Sequence, residues 1–215
     1  MNERSFIKGY SITMTEFAPS AIVILEVAEK LILEKGYSAT SMRDIASAAG
    51  YKSVAGLYNH FPDKESIFKS LLEYRSPYPE IIRLVGATQG ETTAEFVDTV
   101  FRNMTDYMRR HLSFVQLAMI DYLEFEAVHI HALITDLQNQ IVGLFSRLMS
   151  LEGVHQGLPS PVIMRFMAMQ IFGFVMTGNV MPPFLLGTLS EEEWKTHMVK
   201  LILYGLDREL SDDQS

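Results

Sequence analysis

Apolar residues recur three or four positions apart through most of this 215-residue chain. Over residues 16–35 this spacing predicts a helix, and Gly36 is a natural end for it because glycine readily adopts the backbone conformation found after a helix. Ser41 and Asp44 then form a Ser-x-x-Asp start signal, which predicts a short second helix over residues 42–49.

A third helix, also short, is predicted over residues 53–60, and Pro62 ends it. Asp63 is placed to cap a fourth helix, and residues 76–79 have the composition of a linker. Two helices of about two turns each, joined by a tight turn after a longer helix, are typical of a helix-turn-helix. We therefore predict such an element over residues 41–61.

Five further helices are predicted beyond the linker, and no sustained alternation of apolar and polar residues indicates strands. The fold class is therefore predicted as all-α. The predicted ranges of these helices are 92–110, 113–127, 129–151, 160–180 and 190–210.

One run, residues 162–181, is almost wholly apolar and long enough to cross a bilayer. Arg165, Gln170 and Asn179 interrupt it, and no basic cluster flanks it. Two interpretations stay open, a membrane span and a helix covered on most sides by a core and a subunit interface. We favour the second.

The composition narrows the possible chemistry. The sequence has no cysteine, which excludes disulfides and thiolate metal sites, and it has no catalytic motif, so no enzymatic activity, no cofactor and no metal site are predicted. Residues 1–75 contain nine Lys/Arg and nine Asp/Glu, whereas residues 76–215 contain nine and seventeen. The net charge of −8 therefore lies wholly in the second part, and the N-terminal part can still bind phosphates if its lysines share one face.

The third helix meets the requirements of a DNA-reading helix, which must enter a major groove about 12 Å wide. Residues 53–56 are small, so the backbone can approach base edges closely. Leu57 and Phe61 lie four positions apart and share a face that can pack inward against Ile45.

This segment resembles the N-terminal domain of the tetracycline-repressor (TetR) family of bacterial regulators. The resemblance implies a three-helix DNA-binding domain, a variable helical ligand domain and a homodimer that binds a near-palindromic operator. It covers about fifty residues in order and is carried by Ala28-x-x-Leu31, Gly36-Tyr37-x-x-Thr40-Ser41-Met42-x-x-Ile45-Ala46, Ala48-Ala49-Gly50, Leu57-Tyr58-x-His60-Phe61 and Lys64-Glu65-x-Ile67.

Two features depart from the family pattern. The family usually has Gly-Val-Ser before the reading helix, whereas this chain has Gly50-Tyr51-Lys52-Ser53, one residue longer. We place the extra residue in the turn and Ser53 at the helix N-cap. The threonine that the family usually has two positions before its tyrosine is Gly56 here, which removes a hydroxyl and costs about 1 kcal/mol in helix propensity.

The predicted DNA contacts follow from donor chemistry and from the resemblance. Tyr58, His60 and Lys64 offer hydroxyl, imidazole and ammonium donors to phosphates. Lys52 binds either a phosphate or guanine, Thr40 binds either a phosphate or its own backbone, and simple packing or surface exposure stays open for the others. The predicted set is Thr40, Ser41, Arg43, Lys52, Ser53, Val54, Ala55, Gly56, Tyr58, His60 and Lys64.

Aromatic residues and methionines are concentrated over residues 96–148, which is typical of an adaptable apolar pocket and equally of a helical core. Both interpretations stay open. The predicted ligand-binding residues are Phe101, Met104, Tyr107, Met108, Gln116, Met119, Tyr122, Phe125 and His129.

Apolar stripes on the last two helices predict a dimer interface, because a four-helix bundle with the symmetry mates would cover them. The family resemblance implies the same arrangement. The predicted interface residues are Val162, Phe166, Met169, Gly173, Met176, Trp194, Met198, Leu201 and Ile202.

These features predict a cytoplasmic transcriptional repressor that binds double-stranded DNA as a homodimer and is released by a small, largely apolar effector. The alternative is a small-molecule binding protein whose helix-turn-helix has lost DNA binding, and the longer turn and Gly56 are its support. We divide the chain into a flexible arm at residues 1–15, a helix-turn-helix DNA-binding domain at residues 16–75, and a ligand-binding and dimerisation domain at residues 76–215.

Overall fold

The computed structural model describes residues 17–78, 80–81, 83, 92–136, 138–151 and 158–206. Every regular secondary-structure element in these ranges is a helix, and no strand occurs among them. The predicted all-α fold is therefore confirmed. The predicted arm at residues 1–15, the last linker residue Pro79 and the predicted end of the final helix at residues 207–210 lie outside the described residues. The helices are α1 (Pro19–Lys35), α2 (Met42–Ala48), α3 (Ala55–Tyr58), α4 (Lys64–Arg75), α5 (Thr93–Arg110), α6 (Leu112–Phe125), α7 (Val128–Asp136), α8 (Gln138–Met149), α9 (Ser160–Val180), α10 (Pro183–Leu186) and α11 (Glu191–Leu206).

The described helices form two compact units. The first contains α1 to α4 together with α6 and α7, and the second contains α5 and α8 to α11. The first unit includes more of the sequence than the predicted DNA-binding domain at residues 16–75, because α6 and α7 pack against α4. Phe114 and Leu117 of α6 accordingly belong to the same buried cluster as the residues of α1 and α4.

The core of the first unit is built mainly by α1 and α4, whose apolar residues recur at helical spacing. Each helix turns one stripe of fully or almost fully buried side chains toward the other, and burying one leucine, isoleucine or phenylalanine side chain stabilises the fold by about 1.5–3 kcal/mol. The buried stripes consist of Ile24, Leu25, Ala28 and Ile32 on α1 and of Ile67, Phe68, Leu71 and Leu72 on α4.

Local signals determine most helix ends in the first unit. The Ser41–Asp44 start signal is confirmed, since the Ser41 hydroxyl accepts from the Asp44 N–H at 3.2 Å and the Asp44 carboxylate accepts from the Ser41 N–H at 2.9 Å. Asp63 caps α4 as predicted, by accepting from the Ser66 N–H at 2.7 Å. The first helix begins at Pro19, later than the predicted start at residue 16, because proline fixes φ and needs no donor partner in the first turn.

In the second unit, α5 packs against both α9 and α11 around a separate apolar core. The start of α5 has the predicted cap, since the Glu95 N–H donates to the Thr92 hydroxyl at 3.2 Å. The start of α9 differs by one residue from the prediction, because Pro159 rather than Ser160 is the N-cap. By length and composition alone α9 could cross a membrane, yet its inner face contributes Ile163 and Met167 to this core.

Candidate DNA interface and ligand cavity

The first helix of the helix-turn-helix, α2, is tied to α1 at its N-terminus. The Asp44 carboxylate accepts from the Ser41 hydroxyl at 2.8 Å and from the Lys35 ammonium at 2.9 Å. The hydrogen bond from Lys35, together with those from Ser41, holds the pKa of Asp44 well below its usual range. The hydroxyl and the backbone N–H of Ser41 therefore both donate to Asp44, which leaves Ser41 no free donor for the predicted DNA contact.

The turn after α2 is a Schellman motif centred on Gly50. Gly50 has a φ of +80°, its N–H donates to the Ser47 carbonyl at 3.2 Å, and the next N–H, that of Tyr51, donates to the Ala46 carbonyl at 2.9 Å. Such a motif needs a left-handed residue at the position of Gly50, which glycine adopts without steric cost. The extra residue of this chain therefore lies in a well-formed turn, as predicted.

The DNA-reading helix α3 is shorter than the predicted range of residues 53–60. It covers Ala55–Tyr58, and Val54 rather than Ser53 is its N-cap, with no capping hydrogen bond from a side chain. The predicted Ser53 cap is wrong because Val54 already has helical dihedrals, so the Ser53 carbonyl accepts from the Gly56 N–H at 3.3 Å in a tight turn. Leu57 and Phe61 are buried in the core beside Ile45, as predicted.

The outer edge of the helix-turn-helix is formed by exposed residues that surround α3. Lys52, Ser53, Ala55, Tyr58 and His60 are exposed, and 57% of Tyr58 is accessible; Val54 and Gly56 are half-buried, and Arg43 on α2 is exposed. Asn59, which is not among the predicted DNA contacts, is exposed and follows Ala55 by four positions. The spacing would have identified it, since residues four apart share a helix face and Leu57 points the other way.

Two predicted phosphate contacts, Thr40 and Lys64, are engaged inside the protein. Thr40 is buried and its hydroxyl donates to the Gly36 carbonyl at 2.9 Å, so of its two alternatives the bond to its own backbone is the one formed. The Lys64 ammonium donates to the carbonyls of Tyr37 and Thr40, both at 2.8 Å, and lies 4.0 Å from the centre of the Tyr37 ring. Burial lowers the pKa of Lys64. Lys64 thus braces the turn between α1 and α2, with one of its three N–H groups left for a phosphate.

The residues predicted to bind a ligand are divided between the two units. Phe101 and Met104 belong to the core of the second unit, where Tyr107 is buried and Met108 half-buried. In the first unit, the α6 residues Gln116, Met119 and Tyr122 are exposed, and Phe125 packs on Tyr37 and Phe68. Helical spacing alone does not show whether an apolar face of α5 or α6 packs in a core or lines a cavity. The apolar face of α5 that contains Phe101 and Met104 packs in the core of the second unit.

His129, the remaining predicted ligand residue, has its partners inside the first unit. Its Nδ1 lies 2.6 Å from Oδ1 of the fully buried Asp121, whose Oδ2 accepts from the Ile130 N–H at 2.9 Å. Its Nε2 lies 3.6 Å from a carboxylate oxygen of Glu65 on α4, and its ring packs edge-on against Phe125. The imidazole is therefore a satisfied core group that joins α4, α6 and α7.

A cavity of about 440 Å³ lies in the second unit, between α9, α10, α11 and the end of α5. Its walls are mostly apolar, with Phe174, Leu186 and Trp194 among them, and the Trp194 indole N–H is already satisfied by the Leu186 carbonyl at 3.0 Å. Polar groups come from Gln170, Asn179 and the ion pair of Arg109 with Glu191. None of the predicted ligand residues lines this cavity. It is lined instead by three residues that were predicted for the dimer interface, Gly173, Trp194 and Met198.

The outer faces of α9 and α11 carry an apolar surface. Val162, Met169 and Leu201 of the predicted interface are 52%, 61% and 64% exposed, and Phe166, Met176 and Met198 are half-buried. Phe172 and Tyr204, which are not among the predicted interface residues, are exposed on the same two helices. Ile202 is 1% exposed and belongs to the core of its own unit, because it follows Leu201 by one position and so points about 100° away from it.

Residues 24–71 match the sequence profile of the family described as bacterial regulatory proteins, tetR family. The HTH-type transcriptional repressor KstR2 of Rhodococcus jostii (strain RHA1) is 47% identical to this chain over 49 residues. That match spans 23% of this chain and 24% of the repressor, so the chain is aligned to about a quarter of the length of this relative.

Solved structures resemble the chain over most of its length. A TetR family transcription regulator from Marinobacter aquaeolei VT8 has a TM-score of 0.64 at 20% identity, over 88% of this chain and 96% of that chain. The ketosteroid transcriptional regulator KstR2 of Mycobacterium tuberculosis has a TM-score of 0.60 at 19% identity, over 90% of this chain and 97% of that chain. A bacterial regulatory protein in the tetR family from Rhodococcus RHA1 has a TM-score of 0.67 at 16% identity, over 89% of this chain and 98% of that chain. These likenesses concern the fold.

Proposed function

The chain belongs to the TetR family of bacterial regulatory proteins through its N-terminal domain, and from this premise we propose that it is a cytoplasmic homodimeric repressor released from its operator by a small molecule. The observation that carries the proposal is the braced helix-turn-helix. Its inner side is anchored by Leu57 and Phe61, and its outer edge leaves Lys52, Tyr58 and Asn59 exposed beside a short helix. A rigid support with a free polar edge is what entry into a major groove requires.

The experiment that tests DNA binding is a selection of bound sequences from random double-stranded DNA by the purified full-length protein. We expect a near-palindromic sequence with half-sites about one helical turn apart, and an affinity that falls at least 100-fold between 50 and 200 mM salt, because phosphate contacts release counterions. Fluorescence anisotropy with the selected duplex measures the salt dependence.

Matched lysine variants provide the control. Lys52→Ala should weaken binding, whereas Lys200→Ala, which removes an exposed lysine from α11 in the second unit, should leave it unchanged. Failure of the wild-type protein to enrich any sequence would support the alternative, a small-molecule binding protein whose helix-turn-helix has lost DNA binding.

The cavity in the second unit is the site we propose for the effector. Its volume of about 440 Å³ lies in the range of small-molecule sites, and Phe174, Leu186 and Trp194 fit a compact apolar body. Gln170 and Asn179 fit a hydroxyl, carbonyl or amide group on that body. Arg109 and Glu191 already neutralise each other, so a neutral effector matches the cavity better than an ionised one.

A substitution at Gly173 tests this site. A Cβ at Gly173 would have no heavy atom within 4 Å, because the glycine faces the open space of the cavity. Gly173→Leu should fill part of that space and weaken binding of the neutral apolar probe N-phenyl-1-naphthylamine about 10-fold or more, as measured by its fluorescence. Gly173→Ala, the matched control, should keep probe binding and stabilise α9 by about 0.5–1 kcal/mol, because alanine favours the helix.

Sedimentation at equal concentration distinguishes this result from an effect on assembly, since Gly173 is also a predicted interface residue. Unchanged probe binding by a Gly173→Leu variant that remains dimeric would exclude the cavity as the effector site.

A further inference from the structure

Gly56 has no conformational reason to be glycine. It lies inside α3 with helical neighbours, and unlike Gly50 it does not have a positive φ. Its reason is steric, since a Cβ at this position would lie 2.3 Å from Cδ1 and 3.0 Å from Cε1 of the Tyr51 ring. Non-bonded carbon atoms do not approach to 2.3 Å, so any larger residue at position 56 must displace this ring.

The Tyr51 ring is held in that place from several directions. Its backbone N–H is fixed by the Ala46 carbonyl in the Schellman motif, and its half-buried side chain packs against the core of the first unit. The ring also meets the His60 imidazole edge-on, with 6.5 Å between the ring centres. Because Gly56 and His60 are four positions apart, the ring lies along one flank of α3.

The longer turn, which contains Tyr51, and the missing side chain at position 56 are therefore two parts of one arrangement. We propose that Tyr51 is a specificity-determining residue of the DNA-reading edge, with its ring taking the place that a side chain at position 56 would occupy. This inference rests on the proposed function as a DNA-binding regulator. The carbon edge of a half-exposed ring is suited to the C5-methyl group of thymine, which apolar side chains recognise in the major groove.

The test compares the sequence preferences of the full-length wild-type protein with those of Tyr51→Ala, Tyr51→Phe, Gly56→Thr and the double variant Tyr51→Ala/Gly56→Thr. We expect Tyr51→Ala to lose the preference for thymine at one position of each half-site and to keep the others, and Tyr51→Phe to keep the whole wild-type preference. Replacing that thymine by uracil should weaken wild-type binding about fourfold, which corresponds to one buried methyl group, and should not affect Tyr51→Ala.

The coupling between the two positions gives a second result. Gly56→Thr should reduce operator affinity at least 10-fold, because the threonine collides with the ring. Adding Tyr51→Ala should restore affinity to within about threefold of Tyr51→Ala alone, since the space is then free. Circular dichroism of each variant verifies that the helices are retained.

Several outcomes would overturn the inference. They are an unchanged preference in Tyr51→Ala, a uniform loss over all sequences, a Tyr51→Phe variant that behaves like Tyr51→Ala, or a double variant no better than Gly56→Thr. These differ from a failure of the proposed function, in which the wild-type protein itself would enrich no sequence.

Discussion

Replacing Asp121 by alanine should lower the free energy of unfolding by about 3–5 kcal/mol, because it breaks a buried charged hydrogen-bond network and leaves its other members in place. The Asp121 side chain is fully buried, and its two carboxylate oxygens serve two different partners, the His129 ring at 2.6 Å and the Ile130 N–H at 2.9 Å. Its backbone carbonyl also accepts from the Ala127 N–H at 3.0 Å.

The size of this effect follows from where the partners lie. His129 is itself buried and is enclosed by the rings of Phe68 and Phe125, so its N–H cannot turn to water when the carboxylate is removed. The connection between α6 and α7 also contains two residues with positive φ, Glu126 and Ala127. Non-glycine residues keep such a conformation only when their surroundings hold it, and the hydrogen bond from the Ile130 N–H to the Asp121 carboxylate, which alanine would remove, is one of these restraints.

Urea unfolding at a fixed protein concentration measures the loss of unfolding free energy, and two further variants serve for comparison. Asp121→Asn should lose less, about 1–3 kcal/mol, because one amide oxygen can still accept from one of the two donors. Asp98→Ala removes a carboxylate from an ion pair with Arg102 on the surface of α5, and should cost at most about 1 kcal/mol. A loss in Asp121→Ala as small as that in Asp98→Ala would contradict a structural role for the buried network.

The double variant Met169→Glu/Leu201→Glu should be monomeric and should bind a full operator about 100-fold or more weakly than the wild-type protein. Met169 on α9 and Leu201 on α11 are 61% and 64% exposed, so glutamate fits the isolated chain without disturbing its core. Across a two-fold interface each substitution would meet its own copy or a neighbouring one, and desolvated like charges repel. A monomer also loses the gain in affinity from two linked half-site contacts.

Analytical ultracentrifugation measures the assembly, and anisotropy with duplexes carrying one or two half-sites measures DNA binding. The variant and the wild type should bind the single half-site equally, because the helix-turn-helix is untouched. Leu123→Glu is the matched control, since it introduces the same charge at a residue of α6 that is 77% exposed and belongs to the first unit. A double variant that remains dimeric would place the interface on another surface.

Much of the helix-turn-helix was predictable because its determinants are local. The caps formed by Ser41 with Asp44 and by Asp63 with Ser66 join residues three positions apart, and Gly50 ends α2 through its own backbone conformation. Inward packing by Leu57 and Phe61 follows from helical spacing alone. The ligand residues were less predictable, because spacing indicates that α5 has an apolar face without indicating whether that face meets a core or a cavity.

The sequence by itself determined that the described part of the chain is helical, where the caps of α2, α4 and α5 lie, and that residues 24–71 match the tetR family of bacterial regulatory proteins. The tertiary structure alone decided how individual side chains are used, because their partners are distant in sequence. The Lys64 ammonium meets carbonyls 24 and 27 positions away, and a turn brings His129 back to Asp121. It also joined the two departures from the family pattern, since only the folded turn, which is longer by one residue, places the Tyr51 ring where a Cβ at Gly56 would lie.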